Sequence, residues 1–367
     1  MTGPTTSSTT APPTAPPRAD EREPVVVLWR RHTWSVRFLR RAALVNLALL
    51  AAAAVLGVVA LTFGDYGISA GQVVAALRGH ADDPLAAYFV TDVRLPRVLG
   101  ALLVGVALGI SGSLFQTISG NPLGSPDVVG FTTGSATGAL VAIILVGASP
   151  AGVAAGSVVG GVATAAVIYA LAWRGGVSGM RLVLVGVGIG AALHAVNALL
   201  VVRAPLGAAQ TAAQWQAGSL NGVTWRDLAW LAGLLVVVAP VLVLLFRGLT
   251  TLSFGDDLAT ELGVQVGHVR LGAVAAGVAL VALATAVTGP IAFVALAAPH
   301  VVRRLHGTTT PALTGSALTG AVLVLVSDML AQRLLAPTQL AVGVVTAALG
   351  GVYLVALLAF EWRKRTP

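Results

Sequence analysis

The sequence contains no cysteine, a single lysine (Lys364) and few charged residues, which make up 10% of its 367 residues. Without cysteine the chain can form no disulfide bond, iron–sulfur cluster or thiolate metal site. Because arginine precedes its one lysine, it contains no Gly-x-x-x-x-Gly-Lys phosphate-binding loop. Its six histidines include no His-Glu-x-x-His motif or other close metal-binding pair. We therefore expect no catalytic site, metal or cofactor in this chain. If ATP drives the protein, a separate ATPase chain would bind the ATP and magnesium.

Apolar residues are abundant instead. They make up 56% of the chain, and the mean hydropathy is +0.89. Soluble domains carry about 25% charged residues, more than twice the share found here. The composition therefore indicates a polytopic membrane protein, and its length favours one compact helical bundle over several soluble domains.

The net charge of +8 does not indicate nucleic-acid binding, because no basic patch is interleaved with aromatic residues. Sixteen basic residues fall on one predicted side of the membrane and six on the other. Because basic residues concentrate in cytoplasmic segments, we expect both termini in the cytoplasm. The six residues expected outside are Arg78, Arg94, Arg97, Arg203, Arg226 and Arg333.

Ten apolar runs approach the length of about 20 residues that a membrane-spanning helix requires. They predict an all-α membrane protein with ten transmembrane helices, at residues 42–62, 95–117, 131–148, 152–173, 182–203, 227–247, 271–288, 291–305, 312–333 and 339–360. The eighth run is short and contains Pro299 and His300 near its end, as a half-helix would. An even number of spans agrees with both termini on one side.

The spans divide the chain into four parts. Residues 1–24 are rich in Thr, Pro, Ser and Ala and predict a disordered cytoplasmic tail. Residues 25–41 form a basic juxtamembrane segment, 42–362 the ten-helix domain with a polar segment at 252–270, and 363–367 a second cytoplasmic tail. Within the spans, glycines at four-residue spacing predict close helix packing. These are Gly105 and Gly109, Gly152, Gly156 and Gly160, and Gly186 and Gly190.

Two arginines flank a proline where the second span begins. Proline fits the first turn of a helix, so we expect the helix to begin near Pro96 and to hold Arg94 and Arg97 at the outer surface. Arg333 follows the ninth span on the same side. Three outer guanidiniums in a charge-poor chain predict docking of an acidic partner, with simple interfacial anchoring as the alternative.

The polar segment 252–270 predicts a short cytoplasmic helix. Its candidate contact residues are Gly255, Asp256, Ala259, Leu262 and Gly263. The apolar positions share one helix face and the acidic residues lie mostly elsewhere. Such a helix fits a groove on a cytoplasmic partner or lies in the membrane interface. Its acidic character favours the partner.

Several helix-breaking residues interrupt the apolar runs. Broken helices in a bilayer are tolerated only where protein or a water-filled cavity satisfies the freed backbone groups, and they often line transport routes. The candidate pathway residues are Asn121, Pro122, Pro126, Gly289, Pro290, Phe293, Pro299 and His300. Ordinary turns are the alternative. His194, inside a span, is a candidate proton relay or a partner in an interhelical hydrogen bond.

In sequence order, these pieces resemble the permeases of iron-siderophore and vitamin B12 ABC importers. The resemblance runs from Arg94 to the C-terminus. It rests on R-L-P-R at 94–97, N-P-L-x-x-P at 121–126, W-x-x-G-S at 215–219, G-x-x-x-A-x-x-L-G at 255–263, G-P-I-x-F with P-H-x-x-R at 289–303, and the P-T-Q-L-A-V-G ending that starts at 337. One such motif is weak, but six in order are specific.

The resemblance implies a type II ABC importer permease of ten helices in the bacterial cytoplasmic membrane. It implies pairing with a second permease subunit, identical or paralogous, around a central pathway. It also implies two cytoplasmic ABC ATPases docked at 255–263 and an extracytoplasmic binding protein. Arginines at positions like Arg94, Arg97 and Arg333 meet acidic residues of the binding protein in this family. A genome that favours arginine over lysine suggests that the binding protein is lipid-anchored.

The sequence thus predicts import of a ferric siderophore by alternating access. Vitamin B12 or haem are alternative substrates for the same type of permease. A secondary transporter driven by ion gradients is a different class of protein, and it requires buried acidic residues, of which Asp328 is the candidate. A non-transporting membrane scaffold would leave the polar segment at 255–263 without a role.

Overall fold

A computed structural model describes residues 26–31, 34–64, 66–174, 176–308, 310–336 and 338–365. The tail predicted at 1–24 lies outside the described residues. Fourteen α-helices occur in the described part: α1 Arg40–Thr62, α2 Ala70–Leu77, α3 Pro84–Tyr88, α4 Leu95–Ser119, α5 Phe131–Val141, α6 Pro150–Ala172, α7 Gly179–Arg203, α8 Leu206–Gln216, α9 Trp225–Leu252, α10 Asp256–Glu261, α11 Val266–Thr288, α12 Val294–His306, α13 Leu313–Arg333 and α14 Val342–Arg365. Two π-helical turns, Phe89–Arg94 and Ala142–Val146, extend neighbouring helices.

Each of the ten predicted spans overlaps one long helix or short apolar helix of the described part. Seven helices have the length and apolar composition to cross a membrane: Arg40–Thr62, Pro84–Ser119, Pro150–Ala172, Gly179–Arg203, Trp225–Leu252, Val266–Thr288 and Leu313–Arg333. Two shorter apolar helices cover Phe131–Val146 and Val342–Ala356. The eighth predicted span is the 13-residue α12, which is too short to cross a membrane alone.

The juxtamembrane segment adds an element that charge counting missed. Strands β1, Val26–Arg31, and β2, Trp34–Leu39, pair antiparallel ahead of α1. Valine, tryptophan and phenylalanine recur in these strands, and such residues favour extended backbone. The all-α prediction therefore holds for the described membrane helices and is wrong for residues 26–31 and 34–39.

Helix α4 lies at the centre of the bundle. It packs against α13, α11, α12 and α9. In the most apolar 18-residue window of Pro84–Ser119, 78% of the residues are buried, against 11% in that of α7. Arg97 of α4 lies beside Asp328 near the end of α13, whereas Gly109 faces Ser316 near its beginning. The two helices are therefore antiparallel. We call the end of the bundle at Arg97 the Arg97 face and the opposite end, where α10 begins, the Asp256 face.

Helix directions separate the arginines as the sequence predicted. Helices α4 and α9 begin at the Arg97 face, while α7 and α13 end there. The arginines at that face are Arg78, Arg94, Arg97, Arg203, Arg226 and Arg333. Those at the Asp256 face with described side chains include Arg40, Arg41, Arg174, Arg181, Arg247, Arg270, Arg303 and Arg304. The excess of basic residues at one end fits a protein with a defined orientation in the membrane.

Small residues allow the helix backbones to touch, as the glycine spacing predicted. A Cβ on Gly105 or Gly109 would overlap the backbone of α13, and one on Gly160 would overlap the backbone of α5. Gly152 differs, because its nearest outside atom belongs to Ala148 of the preceding turn. In a bilayer such close contact replaces the hydrophobic effect as the force that holds helices together.

The beginning of the second span was predicted incorrectly. The helix starts at Pro84, capped by Asp83, and continues through the π-helical turn into α4. In that turn the N–H of Leu95 donates to the carbonyl of Val90, so the ladder shifts by one residue just before Pro96. Such turns usually occur as short bulges inside a continuing α-helix. Pro96 therefore lies inside a longer helix, not at its free end.

Gly112→Ala tests the close packing of α4, because the new methyl group would overlap the carbonyl oxygen of Ala295 on α12. We expect a loss of about 1–3 kcal/mol in stability, the usual cost of overpacking, measured by thermal unfolding of the purified protein in detergent. Gly188→Ala on α7 is the matched control, since no outside atom lies within 4 Å of its Cβ position. Equal melting temperatures for both variants would contradict the packing.

Candidate functional site

At the Arg97 face, a buried ion pair joins α4 to α13. The guanidinium of Arg97 donates to both carboxylate oxygens of Asp328, with nitrogen–oxygen distances of 2.9 to 3.2 Å. The third nitrogen, Nη1, donates to the side-chain oxygens of Asn221 at 2.6 Å and Gln339 at 3.2 Å. Asp328 is 2% exposed and also accepts from Gln332. Such a two-pronged arginine–carboxylate contact fixes orientation as well as charge.

Arg94 and Arg333, the other two arginines predicted to dock a partner, have different environments. Arg94 is 7% exposed, and its guanidinium donates to the carbonyl oxygens of Leu61, at 3.0 Å, and Tyr66. Arg333 is exposed and lies over the ring of Phe63, 4.9 Å from its centroid. Of the three, Arg333 presents its charge most openly, whereas Arg94 and Arg97 hold the ends of helices together.

The motifs that resemble the permease family meet where α11 ends. The N–H of Ser219 donates to the carbonyl of Thr288 at 2.7 Å, and the N–H of Gly343 donates to the carbonyl of Gly218 at 3.1 Å. A Cβ on Gly218 would overlap the carbonyl of Pro290. We call this meeting of residues 218–219, 288–290 and 343 the junction. Neighbouring backbone thus satisfies groups that the break at Gly289-Pro290 would leave open.

From the junction the chain turns back into the bundle. Residues 289–293 form an irregular segment without helix or strand, and α12 begins beside Gly112 of α4 before running to the Asp256 face. Phe293, which precedes α12, has a φ of +68°, and it is the one non-glycine residue of the described part with positive φ. That conformation costs about 1–3 kcal/mol and persists only where the surroundings enforce it. Gly350 provides the room, because its Cβ would overlap the Phe293 ring.

At the Asp256 face, a cavity of about 570 Å³ contains three of the predicted pathway residues. Asn121, Pro122 and His300 line it together with Gln116 and Arg303. Arg303 donates to the side-chain oxygen of Gln116, whose nitrogen donates to a backbone carbonyl of α12. All the ionisable side chains that line this cavity are basic: His300, Arg303 and Arg304.

The remaining predicted pathway residues lie elsewhere. Pro126 and Pro299 are buried. Gly289 and Pro290 belong to the junction, and Phe293 ends the irregular segment that leads from it to α12. The turn that starts at Gly120 separates α4 from α5, as the sequence predicted. His194 is exposed on α7. The structure therefore divides the predicted pathway residues between a cavity at one face and a helix break deeper in the bundle.

The polar segment forms the short helix α10 with the turns on either side of it. Gly255, which precedes the helix, has a φ of +113°, and Gly263, which follows it, has a φ of +78°; both values favour glycine. Ala259 is fully buried, whereas Leu258 and Leu262 are 43% and 65% exposed. The predicted helix is confirmed, but only one of its apolar residues faces inward. The exposed leucines leave an apolar surface at the Asp256 face.

Arg270 connects α10 to the rest of the bundle. Its guanidinium donates to both carboxylate oxygens of Asp256, at 2.9 and 3.1 Å, and to the carbonyl of Val177. Arg270 is 3% exposed and lies one turn into α11. Nothing in the sequence around Arg270 indicates its importance except its position at the end of the polar segment. Gln116, Asn221 and Gln339 were missed because isolated amides in a sequence carry no pattern.

No three His, Asp or Glu side chains among the described residues lie close enough together to hold a metal ion.

Comparison with known proteins identifies the chain. Residues 50–360 match the model of the FecCD transport family. The ferric enterobactin transport system permease protein FepG of Escherichia coli strain K12 is 46% identical over 89% of this chain and 98% of its own length. The achromobactin transport system permease protein CbrC of Dickeya dadantii strain 3937 is 37% identical over 91% of this chain and 96% of its own length.

A solved structure shares the fold. A metal-chelate type ABC transporter in an inward-facing conformation superposes with a TM-score of 0.78 at 28% identity, covering 87% of this chain and 99% of the other. The fold similarity therefore extends over most of this chain and nearly all of the solved transporter chain. The chain is a multi-pass integral membrane protein, and it belongs to the FecCD transport family.

Proposed function

We propose that the chain is the transmembrane subunit of an ATP-driven importer that moves a ferric siderophore across the bacterial cytoplasmic membrane. The observation that carries the proposal is the family match over residues 50–360, with a ferric enterobactin permease 46% identical across nearly its whole length. Vitamin B12 or haem are the alternative substrates. ATP and magnesium would be bound by a separate ATPase and not by this chain.

The proposed assembly uses both ends of the bundle. All ten apolar helices cross or enter the membrane, with both termini and the Asp256 face in the cytoplasm. Two ABC ATPases dock on α10 and its flanking turns, Gly255 to Gly263. An extracytoplasmic, lipid-anchored binding protein docks on the Arg97 face. A second permease subunit, identical or paralogous, covers an apolar side of the bundle.

Transport would proceed by alternating access. ATP can drive it only if the ATPases bind the two states of the permease with unequal affinity. The exposed leucines of α10 supply a contact surface for that purpose. The basic cavity at the Asp256 face supports a path for an anionic iron chelate, since ferric complexes of carboxylates and catecholates carry negative charge. Asn121, Pro122 and His300 would line its inner end, and Gly289, Pro290, Phe293, Pro126 and Pro299 would shape the break above it.

A gradient-driven secondary transporter is the second candidate class. It requires a carboxylate in the membrane that can exchange a proton or ion. Asp328, the residue proposed for this on sequence grounds, is 2% exposed and held by both prongs of Arg97. The carboxylate of Asp328 is thus already engaged in the contact that holds α4 to α13. The pairing therefore favours the ATP-driven importer.

Reconstituted uptake tests the function directly. Liposomes that contain this permease, its partner permease and the ATPase are expected to accumulate radiolabelled ferric siderophore when binding protein is outside and ATP is inside. Vesicles with ADP in place of ATP, or without the binding protein, should accumulate none above leakage. Equal uptake without the ATPase would overturn the proposal and favour the secondary transporter. Cyanocobalamin and haem in parallel vesicles distinguish the substrates.

The orientation has its own test, which the lack of cysteine makes clean. A single cysteine at Leu206, 76% exposed at the Arg97 face, is expected to react with a membrane-impermeant maleimide in intact cells. A single cysteine at Phe254, 62% exposed at the Asp256 face, should react only after permeabilisation. Reaction of the second site in intact cells would contradict cytoplasmic placement of α10.

Docking of the binding protein is tested best at Arg333. Arg333→Glu reverses an exposed charge, and we expect affinity for the binding protein to fall by about five- to tenfold at low salt and less at high salt, because exposed ion pairs are weak and screened. Arg226→Glu makes the same change at an exposed residue in the first turn of α9, on the same face, and should have little effect. Equal affinities for the two variants would contradict the assignment.

Charge reversal at Arg94 or Arg97 does not test docking, because both arginines hold buried contacts. Reversal of Arg97 would place a glutamate against buried Asp328, and reversal of Arg94 would face the carbonyl of Leu61. Both reversals would damage the fold whatever the binding protein does. A direct role for these two arginines in docking stays a prediction, since it requires their present contacts to be shared or exchanged.

A further inference from the structure

We infer that Arg270 links α10 to α7, so that displacement of α10 by the ATPase is carried through this one guanidinium. The inference rests on the proposed importer function and adds to it a route inside the permease. It assigns to Arg270 and Val177 a positioning role in energy coupling, which their sequence context did not indicate.

The first step of the route is the contact with α10. Asp256 is the first residue of α10, and its side chain is 50% exposed where the ATPase would lie. Arg270 is buried on α11 and grips both oxygens of this carboxylate. Removal of Asp256 would leave a buried positive charge without its counter-charge, an arrangement that a protein avoids. Movement of α10 must therefore move Arg270, or break the pair.

The second step is the contact with the connection between α6 and α7. The other terminal nitrogen of Arg270 donates to the carbonyl of Val177. Val177 is 6% exposed and immediately precedes Ser178, the cap of α7. Arg181 on the first turn of α7 also donates to the carbonyls of Arg174 and Gly176 in this connection. The connection is thus held to the beginning of α7, and a pull on Val177 acts on that helix.

The third step is the freedom of α7 to respond. It is the least buried of the seven long apolar helices, at 11%, while α4 beside it is the most buried. Gly179 of α7 lies against the backbone at the end of α4, where a Cβ would overlap the carbonyl of Ile118. Gly186 and Gly190 also touch the backbone of Val129 and Gly130, so the closely packed half of α7 is the one next to Val177. Displacement of α10 would therefore rock α7 about this half.

Asp256→Asn in the reconstituted complex tests this link. It keeps the shape of the side chain and removes the charge that Arg270 binds. Asp257→Asn is the matched control, since it removes the same charge from the next residue, which is exposed on the same helix. We expect Asp256→Asn to lower the number of siderophores imported per ATP hydrolysed at least about fivefold, the lower range of typical coupling between sites. Asp257→Asn removes the same charge from α10 without breaking the Arg270 pair, so it measures any effect of that charge on ATPase docking alone. The link predicts a clearly larger loss in Asp256→Asn than in Asp257→Asn.

A distance measurement separates coupling from simple loss of structure. Spin labels on cysteines introduced at Leu262 and Met180, both more than 60% exposed, report the separation of α10 and the beginning of α7. With the pair intact, we expect one narrow distance that is the same with and without ATP. In Asp256→Asn the distribution should broaden when ATP binds, while the complex still co-purifies with its ATPase.

The outcomes distinguish this inference from the proposed function. If the wild-type complex shows no ATP-dependent uptake, the proposed function fails first. If wild-type uptake depends on ATP but Asp256→Asn and Asp257→Asn give equal import ratios, only the link is overturned. An unchanged narrow distance in Asp256→Asn would likewise overturn it. A lower ratio together with a broadened distance supports it.

Discussion

Direct contact between helix backbones around α4 is the constraint on which the rest of the molecule depends. Gly105 and Gly109 face α13, and Gly112 faces the carbonyl of Ala295 on α12. In a bilayer, lipid competes with protein for every apolar surface, so association must come from close packing and polar contacts. Because these contacts involve main-chain atoms, they leave little room for adjustment. Helices that pack along the length of α4 are consequently fixed. Motion falls to helices that touch α4 only near one end, as α7 does at Gly179.

The same constraint explains why the chain can break inside the membrane. An interrupted helix exposes carbonyls and N–H groups that lipid cannot satisfy. At the junction, three motifs distant in sequence supply the missing partners: Ser219 donates to Thr288, and Gly343 donates to Gly218. The break also sets Phe293 in a strained conformation at the beginning of α12. Such strain persists only where the surrounding fold pays for it, which makes the break a built feature of the fold.

The sequence predicted the features that repeat along the chain. Apolar runs indicated each long helix, glycine spacing indicated close packing of helices, and the short eighth run indicated a half-helix or a tilted piece, where the structure has the 13-residue α12. It failed where the outcome depends on a partner far along the chain. Proline at 96 resembles a helix start by local rules, but the preceding helix continues through a π-helical turn. Strands β1 and β2 were missed because the arginines of this segment indicate a basic membrane flank, whereas its valine and aromatic residues favour strands.

The arginines show why a motif does not define a role. Arg94 and Arg97 stand three residues apart in one motif, yet one binds the carbonyls of Leu61 and Tyr66 and the other binds Asp328, 231 residues away. A guanidinium at a helix end satisfies exposed carbonyls, whereas a guanidinium between two spans neutralises a carboxylate that lipid would not tolerate. A binding protein that docked on Arg97 would therefore compete with a pair that holds α4 to α13. Docking and the packing of the central helix would then be coupled through that one residue.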